Sequence, residues 1–149
     1  MKRMTIEVIS YADGSHRQQV AALWKAVFGY ETAHNDPNLS IDRKLAAADG
    51  LFFVALSGAD VIGTIMAGYD GHRGWIYSVA VEPTHRHQGI GTQLVAHAEE
   101  ALAKRGCVKI NLQILEGNEG TVEFYETLGF VVEPRISMGK RIPENIPQG

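Results

Sequence analysis

The residues of this chain best suited to chemistry are Arg86-His87-Gln88-Gly89-Ile90-Gly91-Thr92. They follow the run Val79-Ala80-Val81 and a break at Glu82-Pro83. A β-branched strand that stops at a proline, a polar loop and two glycines opening a helix together build an anion site. The first N–H groups of a helix have no partner within it, and its dipole is positive at that end. Glycines at 89 and 91 let a phosphate approach the backbone with no Cβ in the way. His85, Arg86 and His87 add local positive charge.

Other chemistries fit the same loop less well. A P-loop needs a lysine after its last glycine, and Gly91 is followed directly by Thr92. A dinucleotide loop needs a third small residue where Leu94 stands, and no repeating βαβ pattern surrounds it. His85 and His87 have a spacing that invites a metal, yet no third ligand lies nearby, so no metal is expected. Cys107 begins a strand after Gly106 and lacks a matched His and Asp partner, so it reads as inert. Trp75 and Tyr77 alternate onto one strand face, where packing and an acceptor pocket are both open.

These residues need elements to hold them. Thr5–Ile9 reads as a first strand, and Val20, Leu23, Trp24, Val27 and Phe28 form one helical stripe ending near Gly29. Ile41, Leu45 and Ala48 predict a short second helix closing at Gly50. Leu51–Leu56 and Val61–Tyr69 are strands joined by a hairpin at Ser57-Gly58-Ala59-Asp60, and a turn at 70–74 leads to Trp75–Val81. Ile90, Leu94, Ala98, Ala101 and Leu102 line a helix that stops at Gly106. Val108–Leu115 predicts a strand, Glu119–Leu128 a helix, and Phe130–Val132 and Ile136–Arg141 two closing strands. That order is an α+β layered sandwich.

At 149 residues, with 45% hydrophobic and 21% charged, a single domain over 1–149 is expected, its tail from 142 frayed. The net charge of −3 offers no field for nucleic acid, and no apolar run is long enough to span a membrane. One cysteine fits a reducing compartment, and no signal peptide is visible, so the expected location is cytoplasmic.

The glycine loop resembles the Arg/Gln-x-x-Gly-x-Gly/Ala loop of the GCN5-related N-acetyltransferases. The likeness continues in Val79-Ala80-Val81-Glu82-Pro83, similar to that family's fourth strand and its exit. Asn118 and Thr121–Phe130 resemble its Asn-x-x-Ala-x-x-Phe-Tyr-x-x-x-Gly-Phe segment, with Thr121 where the family has alanine. The resemblance covers roughly Leu51 to Lys140. Asn35-Asp36-Pro37, the stretch 68–74 and Gly139-Lys140-Arg141 are similar to a bacterial branch usually called YpeA.

The resemblance implies a central, mostly antiparallel twisted sheet of six to seven strands, with a parallel fourth and fifth pair and flanking helices. It implies that acetyl-CoA lies between that pair. Its pantetheine arm would bond like an added strand to Val79 and Val81, and its pyrophosphate would sit on amides from His87 to Thr92, near Arg86. An N–H near Val79–Ala80 would stabilise the oxyanion, and Asn118 would be a helix cap, a cofactor contact or both. Tyr125 occupies the family's general-acid position, although by itself it reads as a core aromatic with Val122 and Leu128. An ordinary phenol donates uphill by about 2 kcal/mol to a thiolate, so hydrogen bonding is its larger expected role.

The family's usual glutamates fall at Trp75 and Gln113, which leaves Glu82, Asp70, His72, Glu31 and Glu116 as unassigned base candidates. The expected partner is a primary amine on a small molecule, peptide or protein; a homodimer follows from family habit. Two rivals stand beside this reading: a non-catalytic acyl-CoA sensor and a nucleotide-binding oxidoreductase.

Overall fold

The computed structural model describes residues 5–29 and 36–143. Glu31, Asn35 and the tail beyond 143 lie outside the described residues. The chain divides into two compact units, one up to Gln113 and one from Ile114.

The first unit runs β1 (Ile6–Ser10), α1 (Asp13–Phe28), α2 (Pro37–Ala47), β2 (Phe52–Ser57), β3 (Asp60–Tyr69), β4 (Gly74–Val81), a 3₁₀ turn (Pro83–His85), α3 (Ile90–Ala103) and β5 (Ile110–Asn111). The sheet order is β1-β2-β3-β4-β5, with antiparallel neighbours throughout except the parallel β4–β5 pair. The parallel pair stands where the resemblance placed it.

One sheet face is covered by α1 and α2. Val20, Leu23 and Trp24 of α1 and Ile41 of α2 pack on Phe52, Val54, Met66 and Ala80. Burying each large side chain of this kind contributes about 1.5–3 kcal/mol. Arg17 fixes the two helices together, with one nitrogen 2.7 Å from Asp13 and another 2.7 Å from Asp42. Strand alternation turns Phe53 to the opposite face, where it meets His97 of α3 edge-on at 4.5 Å. There α3 lies close against bare backbone. A Cβ on Gly63 would come within 2.9 Å of Leu94 Cδ1 and 3.1 Å of the Ala80 carbonyl.

The second unit holds α4 (Glu119–Thr127), one residue shorter than its hydrophobic pattern predicts. Two expectations about strands need correction. The strand predicted over Val108–Leu115 pairs only at Ile110–Asn111, and neither Phe130–Val132 nor Ile136–Arg141 forms a strand. The sheet therefore has five strands among the described residues, not six to seven. Val131, Ile136 and Met138 are exposed, so their β propensity has neither a ladder nor a packed face to support it.

Candidate active site

The fourth strand is irregular where chemistry was expected. Thr64 pairs with Ala80 and Met66 with Tyr77, so β4 carries one extra residue at Ser78–Val79. Ser78 is left-handed, with φ of 52°. The fully buried Thr64 holds that bulge: its hydroxyl accepts from Trp24 Nε1 at 2.8 Å and donates to the Ser78 carbonyl at 2.9 Å.

Below the bulge β4 has an open edge. It pairs with β5 only at Gly74 and Trp75, so the stretch from Ile76 to Val81 has no ladder partner on that side among the described residues. The Glu82 N–H bonds the Ile62 carbonyl at 2.8 Å. By alternation from Glu82, Ala80 faces β3 and the main-chain groups of Val81 face the open edge, while Val79 lies in the bulge outside the paired register. The Ala80 side chain is buried in the core beside Trp24. Of the two residues, Ala80 is paired with Thr64 and Val79 is not in the β3 register.

The edge runs directly into the glycine loop. Glu82 caps the 3₁₀ turn, accepting from the Thr84 N–H at 3.0 Å, from the Thr84 hydroxyl, and from His85 Nδ1 at 2.7 Å. His87 and Gly89 are both left-handed, at φ of 65° and 78°. A histidine in that region is strained, and such turns gather successive N–H groups into an anion-binding hollow. Gly89 is the N-cap of α3 and offers no side-chain cap to its first turn. Around the position of a Gly89 Cβ nothing lies within 4 Å. Arg86, His87, Gln88 and Thr92 are exposed and Gly91 half-buried, but the Ile90 side chain is buried and only its backbone can serve.

In the second unit Asn118 and Tyr125 share α4. Asn118 is its N-cap, accepting from the Thr121 N–H at 3.4 Å. Tyr125 is buried, edge-on to Phe124 and Phe130 at 4.9 and 5.5 Å. That desolvation pushes its phenol up to about 12. Full transfer to a free thiolate is then uphill by about 5 kcal/mol, which strengthens the case for a hydrogen-bond donor.

Two of the acids considered as bases, Asp70 and Glu82, are engaged elsewhere. Asp70 accepts from the N–H groups of His72 and Arg73, both at 2.7 Å. The Arg73 and His72 amides hold its carboxyl below the usual range. The Thr84 hydroxyl and His85 do the same to Glu82. Groups so stabilised as anions are weak bases.

One cluster has no counterpart in the sequence reading. Lys44, spaced like a solvated helix residue, is buried. Its ammonium bonds Asp49 Oδ2 at 2.9 Å, the Tyr77 hydroxyl at 2.8 Å and the Ala67 carbonyl. Only the burial of Lys44 in place of Leu45 reveals it, and that depends on the helix rotation.

A sequence model of the acetyltransferase (GNAT) family matches residues 17–130. The chain belongs to that family. An acetyltransferase of Pectobacterium atrosepticum is 40% identical over 111 residues, covering 74% of this chain and 79% of that protein. One from Sodalis glossinidius is 41% identical over 112 residues, covering 74% of this chain and 79% of the relative. Among solved structures, an aminoglycoside N-acetyltransferase in complex with CoA superposes with a TM-score of 0.78 at 19% identity, over 94% of this chain and 97% of that one. At that identity the likeness is one of fold. This GNAT chain is thus an enzyme of the acetyltransferase family, and its mixed sheet with the parallel β4–β5 pair is the fold of that family. Among the described residues no helix is long and apolar enough to cross a membrane, and no group of three or more His, Cys, Asp or Glu could hold a metal ion.

Proposed function

We propose that this GNAT protein transfers an acetyl group from acetyl-CoA directly to a primary amine of a small molecule or peptide. The observation that carries the reading is the continuous main-chain surface formed by the open β4 edge, the left-handed turn at His87 and Gly89, and the uncapped start of α3. An extended amide-bearing arm bonds the edge at Val79 and Val81, and a pyrophosphate meets the amides from His87 to Thr92. Arg86 and the histidines supply charge that the chain as a whole lacks. Gln88, Gly89, Ile90 and Gly91 contribute through their backbone, and Asn118 both caps α4 and contacts the donor.

In the reaction the neutral amine attacks the thioester carbonyl. The Val79 N–H, released from the β3 ladder by the bulge, donates to the developing oxyanion. The C–S bond breaks, and Tyr125 donates a hydrogen bond to the departing sulfur. An amine of low pKa, such as an α-amino group near 8, needs little help beyond water to lose its proton. The continuous family match across 17–130 supports treating both units as one catalytic domain. The single cysteine supports a cytoplasmic setting.

One observation favours a second reading, a non-catalytic acyl-CoA-binding module: the carboxylates of Asp70 and Glu82 are committed to turns. Two measurements decide. Acetyl-CoA at 100 times its Kd should stabilise the protein by about 2.7 kcal/mol. Stabilisation by a nicotinamide dinucleotide instead would overturn both readings in favour of an oxidoreductase. Release of CoA thiol with an amine panel then separates enzyme from sensor.

A further inference from the structure

The Lys44 ammonium has three donors and three acceptors: the Asp49 carboxylate, the Ala67 carbonyl and the Tyr77 hydroxyl. Its side chain is 6% exposed. An ammonium has no lone pair, so the Tyr77 oxygen can only accept from it. The phenolic proton must therefore point away from Lys44. Tyr77 itself is 42% exposed. A buried cation thus spends one donor on orienting a surface hydroxyl, and a hydroxyl that accepts from a cation is a stronger donor in turn.

The position of that donor gives it a use. Tyr77 immediately precedes the Ser78 bulge, and its pairing with Met66 puts its side chain on the α1–α2 face of the sheet. Trp75, 38% exposed, stands on the same face two residues away. Residues 77 and 79 flank the left-handed Ser78, so the residue that carries the hydroxyl and the proposed oxyanion donor are next neighbours across the bulge.

Resting on the N-acetyltransferase reading above, we propose that Tyr77, positioned by Lys44, anchors the acceptor by donating to an oxygen carried close to its amine. The chemical class is an amino acid or peptide α-amine, with a carboxylate or peptide carbonyl as the anchored group and Trp75 as an apolar wall. Tyr77 touches the acceptor; Lys44 acts through Tyr77.

The test compares free amino acids, dipeptides and the matching decarboxylated amines as acceptors for the wild type, Tyr77→Phe and Lys44→Met. The wild type should prefer the oxygen-bearing members, and Tyr77→Phe should lower kcat/KM for them by about 10- to 100-fold, mainly through acceptor KM. The decarboxylated amines should change by less than about twofold, as should the KM of acetyl-CoA. Lys44→Met should shift the same preference in the same direction; where it fails to fold, Tyr77→Phe decides alone. Amino acids against dipeptides separate the two oxygen sources. Turnover that favours decarboxylated amines, or a preference unchanged in Tyr77→Phe, overturns this inference and leaves the acetyltransferase reading standing. Failure to bind acetyl-CoA or to acetylate any amine overturns the underlying reading, and this one with it.

Discussion

The hydroxyl of Thr64 donates to the carbonyl of Ser78 at 2.9 Å, across the one place where β3 and β4 lose register. Because the same oxygen accepts from Trp24, the core of α1 is wired directly to the bulge in the proposed catalytic strand. A left-handed non-glycine residue costs about 1–2 kcal/mol and persists only where its surroundings fix it. Thr64 and Trp24 are those surroundings.

Thr64→Val keeps the shape and removes both hydrogen bonds. The buried Trp24 N–H is left without its acceptor, at a cost of about 1–3 kcal/mol. Denaturant unfolding should show that loss as a lower midpoint. If the bulge positions the Val79 N–H, kcat at saturating acetyl-CoA should also fall. A lower midpoint with kcat unchanged would detach the bulge from catalysis.

At Gly89 stability and binding can be separated. A Cβ there meets nothing within 4 Å, but φ is 78°. Gly89→Ala should therefore lower stability by about 1–2 kcal/mol from backbone strain alone. The same Cβ would stand where the phosphate approaches the amides, so the Kd of acetyl-CoA should rise by about tenfold or more. Calorimetric titration above and below the melting shift separates the effects; strain with an unaltered Kd would move the pyrophosphate elsewhere.

What the sequence made legible follows from which forces act locally. The stripe of Val20, Leu23 and Trp24, the stop at Gly29 and the turn at Gly58 are local signals, and all three stand in the structure. The glycine loop was legible because φ above zero at Gly89 is what glycine is for. The left-handed Ser78 was not, because no residue type announces a bulge that a partner strand imposes. The burial of Lys44 was not legible for a related reason: Ile41, Leu45 and Ala48 predict one helix face, but Pro37, Ile41 and Lys44 are the buried set. Its burial depends on Asp49, the Ala67 carbonyl and Tyr77, which meet it only in three dimensions. The strands expected over 130–132 and 136–141 failed in the opposite sense, since propensity was present and, among the described residues, a partner strand was not.

The Lys44–Asp49 pair makes stability sensitive to acid. Burial opposes the Asp49 anion, yet the bond from Lys44 and the Leu51 N–H at 3.0 Å hold its carboxyl below the ordinary value. A depressed carboxyl contributes stability that is present above the unfolded value of about 3.9 and is lost as pH falls through the lower folded one. Thermal melts from pH 6 to pH 2 should drop in that window, and Asp49→Asn should flatten the drop while lowering the melting temperature at pH 6. An unaltered slope in the variant would show that other carboxylates govern the acid transition.

Tyr125 makes the sharpest prediction, because its chemistry and its titration can be read together. Tyr125→Phe keeps the ring that packs on Phe124 and Phe130 and removes only the donor. Its kcat should fall by about 10- to 1000-fold, with little change in acetyl-CoA affinity. The wild-type phenol, pushed up to about 12 by burial, stays protonated through the range where an ordinary tyrosine ionises. The donor is lost only as pH rises through that higher value, so kcat should show no falling limb near pH 10. A limb near 10 that disappears in Tyr125→Phe would mean that the hydroxyl is solvated in the working enzyme and free to act as a full acid. An unchanged kcat in the variant would remove Tyr125 from the mechanism and leave the departing thiolate to solvent.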